Sequence, residues 1–267
     1  MRPKASDPKG KTAFITGASA GIGSELTRLF AADGIDLVLA SRNRERLFRS
    51  ADELRDRHGI EVTVIPKDLA RIEAPGEIFR ELKERRLSID ILVNNAGFNV
   101  YGQFAETDLS EELALLQLCV ITPTQLIKLF LPHMLKQGYG RILNIGSTGS
   151  FVPGPLNSVY CAAKAYLLSL SEALHTELEG SGVTVTTVCP GATASEFASR
   201  AGMTDTRLFR MGRLSTRKVA RAAYGALWKK KRLVLPGFWN RAGVLGTRFV
   251  PRGLSLKFAQ FIMTRRS

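Results

Sequence analysis

Tyr160 and Lys164 stand four residues apart near the start of a helical stretch, so they share one face of that helix. A phenol with a free pKa of ~10 is a poor proton donor or acceptor at neutral pH. A cation within ~4–6 Å favours the phenolate and draws that pKa down. The pair therefore suits acid–base work, with Tyr160 moving the proton and Lys164 activating it. Ser147 ends a preceding strand, where its hydroxyl can hold a substrate oxygen near the phenol. Each feature also has a plainer reading: a surface Tyr–Lys pair, and a serine that caps a strand end. No metal-ligand spacing occurs among the three cysteines and three histidines.

Proton transfer of this kind needs a reaction partner, and the first seventy residues offer a place for one. Thr16-Gly17-Ala18-Ser19-Ala20-Gly21-Ile22-Gly23 joins a first strand to a first helix. Gly17 permits the tight turn, Gly21 lets a diphosphate approach the backbone, and Gly23 lets the helix pack closely on the sheet. The N–H groups of the helix start carry partial positive charge toward such an anion. An NAD site usually has an acidic residue near the end of the second strand. Here that strand ends Ala40-Ser41-Arg42-Asn43, with Arg44 and Arg46 beyond. A guanidinium can clamp a 2′-phosphate through paired hydrogen bonds, so NADP(H) is the expected dinucleotide, with Ser41 and Arg42 as its contacts. A solvated helix start is the alternative reading of these arginines. Asp68, after the third strand, either accepts from an adenine amino group or caps the next helix.

Alternating strands and helices must position these residues. Lys11–Thr16, Asp36–Ala40, Glu61–Ile65, Ile89–Val93, Arg141–Ile145 and Val183–Val188 read as strands. Helical periodicity covers Ile22–Asp33, Arg44–His58, part of Pro75–Arg86, Leu109–Gly138 and Ser158–Glu179, and Pro123 predicts a kink in the longest of these. Strands this apolar have no wet face, which implies a parallel sheet covered on both sides. The expected fold class is α/β, a Rossmann-type doubly wound parallel sheet in a single domain. Ligands in such sheets bind beyond the C-terminal ends of the strands. Gly17–Gly23, Ser41–Arg42, Asp68–Leu69, Asn94–Gly97, Gly146–Ser150 and Pro190–Ser195 all fall there.

Residues 1–10 read as a polar N-terminal extension and 11–193 as the dinucleotide-binding core with the catalytic residues. From 194 to 215 the pattern breaks into small, polar and basic residues, read as a mobile substrate lid. Residues 216–267 hold a basic helix (Thr216–Lys231), a last strand (Arg232–Leu235) and a basic amphipathic tail. The N-terminus lacks the apolar core of a signal peptide, and no apolar run approaches the ~20 residues of a membrane span. Cys119, Cys161 and Cys189 are scattered in apolar stretches, which predicts buried, reduced thiols and a cytoplasmic protein.

Over about Lys11 to Leu235 the chain resembles the short-chain dehydrogenase/reductase family. The resemblance rests on Thr16–Gly23 (TGASAGIG), Asp68-Leu69, Asn94-Asn95-Ala96-Gly97, Ser147 thirteen residues before Tyr160, Tyr160-x-x-x-Lys164 and Pro190-Gly191. It implies an oxidoreductase that passes a hydride between C4 of NADPH or NADP+ and a carbonyl or alcohol carbon. Tyr160 would be the acid or base, Lys164 its activator and a ribose contact, and Ser147 the substrate anchor. Gly17, Ser19, Ala20, Gly21, Ile22 and Gly23 would cradle the diphosphate. Asp68, Leu69, Asn94, Ala96 and Gly97 would line the cofactor, and Pro190, Gly191 and Thr193 would close over the nicotinamide. A homodimer or homotetramer built partly on Leu109–Gly138 and Ser158–Glu179 is implied as well. One position departs from the family. Its usual asparagine in the long helix, which supports a bend and a relay water, is here Cys119, a weaker hydrogen-bonding group. Either the relay uses the backbone carbonyl and tolerates a thiol, or turnover slows. A non-catalytic NADP-binding scaffold or sensor is the alternative that this departure raises, against which stand the intact Ser147, Tyr160 and Lys164.

Phe98, Val100, Tyr101 and Phe104, then Phe151–Pro155, then Phe197, Met203, Phe209 and Met211 are the candidate pocket residues. They are mostly apolar, so the expected substrate is a small hydrophobic carbonyl or alcohol compound, acyl or steroid-like. The net charge of +14 is unevenly placed: Arg207–Ser267 holds sixteen Lys or Arg and no acid, whereas the rest has 22 basic and 24 acidic residues. A solvated face, peripheral membrane contact through interleaved aromatics, and an acidic carrier are the readings of that region. No nucleic-acid recognition motif occurs.

Overall fold

The computed structural model describes residues 9–264. Runs of aliphatic and β-branched residues form the strands β1 (Thr12–Thr16), β2 (Asp36–Ser41), β3 (Val62–Pro66), β4 (Ile91–Asn94), β5 (Gly140–Ile145) and β6 (Val183–Val188). The short strands β7 (Thr193–Ala194) and β8 (Leu214–Ser215) pair with each other, and β9 (Leu233–Val234) returns to the main sheet. That sheet has seven strands in the order β3-β2-β1-β4-β5-β6-β9, all parallel. The order reverses between β1 and β4, which opens a crevice at the C-terminal ends of these two strands. Expected strand limits agree within one or two residues.

The helices are α1 (Gly21–Ala32), α2 (Arg44–His58), α3 (Ala74–Glu84), α4 (Leu109–Leu116), α5 (Thr122–Lys136), α6 (Ser158–Glu177), α7 (Glu196–Arg200), α8 (Arg207–Arg210), α9 (Thr216–Trp228), α10 (Phe238–Gly246) and α11 (Arg252–Met263). Successive strand residues point to opposite faces, so each face gets its own apolar set. Ile15, Leu37, Leu39 and Val93 pack under Leu26, Phe30, Leu47 and Leu227 of α1, α2 and α9. Phe14, Val38, Leu92 and Ile142 pack under Ile78, Leu82, Leu126 and Phe130 of α3 and α5. All are buried, the condition that makes a parallel sheet stable.

Three parts depart from the sequence reading. The long helix runs from Leu109 to Lys136, but a π-helical turn at Gln117–Ile121 divides it. Pro123 has no N–H for the carbonyl four residues earlier, that of Cys119. The chain widens at this turn instead, and the Thr122 N–H reaches back to Gln117. By length and a mean hydropathy of 1.6 this helix could also cross a membrane, contrary to the expectation that no run would. Here its inward residues Leu115, Cys119, Leu126 and Met134 are core. Lastly, the basic amphipathic tail holds two helices, α10 and α11, and 194–215 holds α7, α8 and the β7–β8 pair around buried Ala198, Met203 and Phe209. Most of the 1–10 extension, and residues 265–267, lie outside the described residues.

Candidate active site

The glycine turn is braced from β4. Gly17 has φ +65°, and a Cβ there would lie 2.9 Å from Ala96 Cα. Thr16 is buried and its hydroxyl donates to the Val93 carbonyl while accepting from the N–H groups of Asn95 and Ala96. The Asn95 amide donates to the Thr16 and Gly17 carbonyls at 2.9 and 3.1 Å. A Cβ on Gly23 would fall 2.2 Å from the Gly17 carbonyl oxygen, so this glycine lets α1 close on the turn itself, not only on the sheet. Asn95, absent from the sequence-derived site, is thus a positioning residue. Its signal was present as the second Asn of Asn94-Asn95-Ala96-Gly97.

The turn fits a dinucleotide diphosphate. Gly21 has φ +60°, and among the described residues outside its own helix the nearest atom to a Cβ there would be Ser195 Cβ at 3.7 Å. Ala20, the N-cap of α1, makes no side-chain cap, and the first turn carries no acid. The N–H groups at this helix start are therefore left for an anion. Ser19 Oγ and Ser41 Oγ share a hydrogen bond of 2.7 Å, which ties the turn to the end of β2. Arg42 is exposed beyond Ser41, and no carboxylate replaces it at the strand end. Asp68 accepts from the Ala70 N–H at 3.0 Å within its own turn and does not cap the next helix, α3, whose N-cap is Glu73. Leu69 is buried, with its carbonyl held by Thr122 Oγ1.

Ser147, Tyr160 and Lys164 converge on the same sheet edge, from the end of β5 and the first turns of α6. The Ser147 hydroxyl neighbours the Tyr160 phenol and draws its pKa down. It also accepts from the Gly149 N–H at 3.0 Å, while Ser150 Oγ donates to the Lys164 carbonyl, so the β5 end is locked onto α6. Lys164 is buried, and its Nζ donates to the Ile145 carbonyl at 2.9 Å and lies 5.7 Å from the Tyr160 ring centroid. The expected drop in the Tyr160 pKa does not hold. Desolvation pushes the phenol well above its ordinary range, Cys119 adds to this, and the Ser147 hydroxyl opposes it only in part. At neutral pH the phenol is protonated, an arrangement that can donate a proton.

Behind Lys164 lies a water-sized cavity lined by Thr16, Asn94, Cys119, Thr122 and Lys164 among others. Asn94 Nδ2 donates to Asn144 Oδ1 and Asn144 Nδ2 in turn donates to Ser171 Oγ, but Asn94 Oδ1 is buried without a partner among the described residues. Its amide faces this cavity. A Cβ on Gly97 would lie 3.4 Å from Cys119 Sγ and 3.6 Å from Lys164 Nζ, so both groups border Gly97. All three cysteines are buried and free; burial lifts Cys161 and Cys189 to about 11.

The apolar candidates separate into groups. Phe197 of α7 packs on Tyr160 at 5.5 Å between centroids, and Phe98 and Val159 pack with Tyr160 against the buried cluster of Val100, Leu115, Cys119 and Ala163. Met203 and Phe209 are instead the core of the 194–215 segment, with Tyr101 and Met263, while Phe104 and Met211 are exposed. Thr193 Oγ1 donates to the Gly191 carbonyl within its own turn, which leaves Ser195 as the polar residue opposite Gly21. Gly191 carries Asn240 of α10 directly against its α-carbon. Across the crevice, Arg46 of α2 pairs with Glu196 of α7 at 2.8 Å, and this hydrogen bond holds the Glu196 carboxyl below its usual range.

Comparison with known proteins identifies the family. Residues 11–205 match the family model described as short chain dehydrogenase. The ketoacyl reductase HetN of Nostoc is 34% identical over 225 residues, 83% of this chain and 76% of the relative. A short-chain dehydrogenase from Sphingobium yanoikuyae, solved in complex with NADPH, is 33% identical with a TM-score of 0.81, covering 91% of this chain and 94% of that one. A bulky-bulky ketone specific alcohol dehydrogenase from Comamonas testosteroni is 30% identical with a TM-score of 0.75, covering 90% and 93%. With a parallel sheet whose reversal point carries a diphosphate-ready turn beside the Ser–Tyr–Lys group, the chain belongs to the short-chain dehydrogenase family of oxidoreductases.

Proposed function

We propose that the protein is an NADPH-dependent reductase of hydrophobic ketones, with Tyr160 as the proton donor. One observation carries this reading: a buried phenol beside Ser147 lies one helical turn from Lys164, at the sheet edge that holds the glycine turn. Gly17, Ser19, Ala20, Gly21, Ile22 and Gly23 would hold the diphosphate. Ser41 and Arg42 would hold the 2′-phosphate, with Asp68, Leu69, Asn94, Ala96 and Gly97 along the nucleoside, and Pro190, Gly191 and Thr193 over the nicotinamide. When bound there, the dinucleotide supplies the hydride.

The remaining work belongs to the chain. Ser147 and Tyr160 grip the carbonyl oxygen together, so charge developing on that oxygen meets two donors in a desolvated site. Tyr160 then gives up its proton, which turns the oxygen into a hydroxyl. Lys164 steadies the phenolate left behind and contacts the ribose. Asn94 Oδ1 and Lys164 give a water in the cavity an acceptor and a donor, which supports reprotonation from inside despite Cys119. Phe197, Phe98 and Val159 favour an apolar substituent beside the carbonyl. The ketoacyl and bulky-ketone names of two relatives support a carbonyl of that kind. Leu109, Leu113, Ile121, Leu135 and Tyr166 are exposed on the α4–α6 side, which supports a homodimer or homotetramer through that face in the cytoplasm.

The test is a panel of hydrophobic ketones with NADPH and NADH. Turnover with NADPH preferred is the expected result. Tight NADPH binding without turnover on any carbonyl would point to the sensor instead. Arg42→Asp places a carboxylate where a 2′-phosphate would sit, so it should lower kcat/KM with NADPH by about 10²-fold, the scale of a lost charge-assisted clamp plus a new repulsion. The same variant should raise NADH use. Equal use of both dinucleotides by the wild type would overturn the assignment of Ser41 and Arg42.

A further inference from the structure

The C-terminal helices turn their apolar faces outward. On α10 and the turn after it, Phe238, Ala242, Leu245 and Phe249 recur at helical spacing, and all are exposed. Phe238 is 74%, Trp239 82% and Phe249 86% exposed. On α11, Leu254, Phe258 and Phe261 fall at i, i+4 and i+7, again exposed, whereas Ala259 between them is buried. A stripe of this spacing ordinarily faces a core. Large apolar side chains left outward on two successive helices in this way mark an interaction surface.

Charge selects the partner. Arg241, Arg248, Arg252 and Lys257 are exposed among these aromatics, and none has a carboxylate partner among the described residues. The chain from Arg207 onward has sixteen basic residues and no acidic one. Two copies of such a face would repel each other, so it is poorly suited to self-association. Nucleic acid would use the charge but not the outward leucines and phenylalanines. Aromatic and aliphatic side chains that penetrate an interface, ringed by cations that meet headgroups, fit an anionic lipid surface.

The face is joined to the substrate side of the crevice. Asn240 of α10 sits against Gly191, and Met263 of α11 packs with Met203, Phe209 and Tyr101. Arg207 of α8 stacks on Phe261 at 4.4 Å and donates to its carbonyl. We propose that the α10–α11 face docks the protein on an anionic bilayer, with the rim of its substrate crevice set against the lipid. The docking itself stands apart from the reductase reading, whereas delivery of a lipophilic ketone from the bilayer rests on it.

Sedimentation of the full chain with vesicles of phosphatidylcholine, with and without phosphatidylglycerol, tests this without any turnover. Binding is expected to need the anionic lipid and to weaken with salt. Arg241→Glu with Arg248→Glu and Lys257→Glu should weaken it by about a hundredfold or more, given the contribution of each basic residue near such a surface. Trp239→Ser with Phe249→Ser and Phe258→Ser should also weaken it at least about tenfold. These positions are exposed, and an unchanged melting temperature would confirm intact folding. In the unaltered chain, lipids brominated on their acyl chains should quench Trp239, and Trp239→Phe should remove that quenching. No binding to anionic vesicles overturns the proposal. So does binding untouched by the three serines, which would leave a bare polyanion site, or a dimer that those serines dissociate, which would make the face a contact between copies. Ketone turnover that persists while docking fails leaves Tyr160 in place; docking without turnover does the reverse.

Discussion

Phenylalanine at position 160 should cost about 10²–10⁴-fold in NADPH-driven ketone reduction, the usual worth of a positioned general acid. The substitution removes one hydroxyl and keeps the ring that packs on Phe197, so fold and cofactor affinity should stay within about twofold. The loss should appear in kcat, because the proton is handed over only in the transition state. The wild type adds a pH signature. Burial raises the Tyr160 pKa, so the phenol keeps its proton through neutral and mildly alkaline pH. Reduction should therefore stay level across that range. Alcohol oxidation needs the phenolate and should climb with pH. A Tyr160→Phe enzyme with near-normal kcat would remove the phenol from the mechanism.

The second large effect is expected at Gly23. An alanine there would set its Cβ 2.2 Å from the Gly17 carbonyl oxygen and 2.5 Å from Asn95 Nδ2. Backbone cannot swing aside as a flexible side chain can, so either α1 withdraws or the turn opens. Overpacking of this kind costs roughly 1–3 kcal/mol of stability. Opening the turn also moves the N–H groups meant for the diphosphate, and NADPH affinity should fall by about tenfold to a hundredfold. Gly225→Ala is the companion: it lies within α9 with nothing near its added methyl, so it should stabilise by about 0.5–1 kcal/mol and leave NADPH binding alone. Equal NADPH affinity in the Gly23→Ala protein, by titration of NADPH fluorescence, would mean that the turn does not cradle the dinucleotide.

Much of this was legible from residue types and spacing because local rules and tertiary demands agree in the core. Strands such as Ile91–Asn94 are apolar on both faces, and only a covered parallel sheet satisfies them. Gly17, Gly21 and Gly23 announced a turn that backbone geometry then requires. What stayed hidden depends on contacts between distant segments. Nothing in the order of residues shows that the Lys164 ammonium goes to the Ile145 carbonyl, or that the Tyr160 phenol is buried deeply enough for desolvation to reverse the expected direction of its pKa. The π turn follows from Pro123, yet proline predicts a kink without saying how the helix absorbs it. The bracing by Asn95 depends on two carbonyls 78 and 79 residues away. In the tail, arginines interrupt the apolar stripe, so its helical period is hard to see until Phe238–Gly246 and Arg252–Met263 are folded.

The most direct measurement follows deuterium through a single turnover. NADPH labelled at C4 of the nicotinamide, in either of its two stereochemical forms, is mixed with the protein and a hydrophobic ketone, and the product alcohol is weighed by mass spectrometry. If the phenol protonates oxygen while the dinucleotide supplies hydrogen to carbon, one labelled form alone should place one deuterium on the carbinol carbon, and D2O as solvent should slow that step. Alcohol formed with no deuterium at that carbon, or no alcohol from any ketone while NADPH stays bound, would contradict the account.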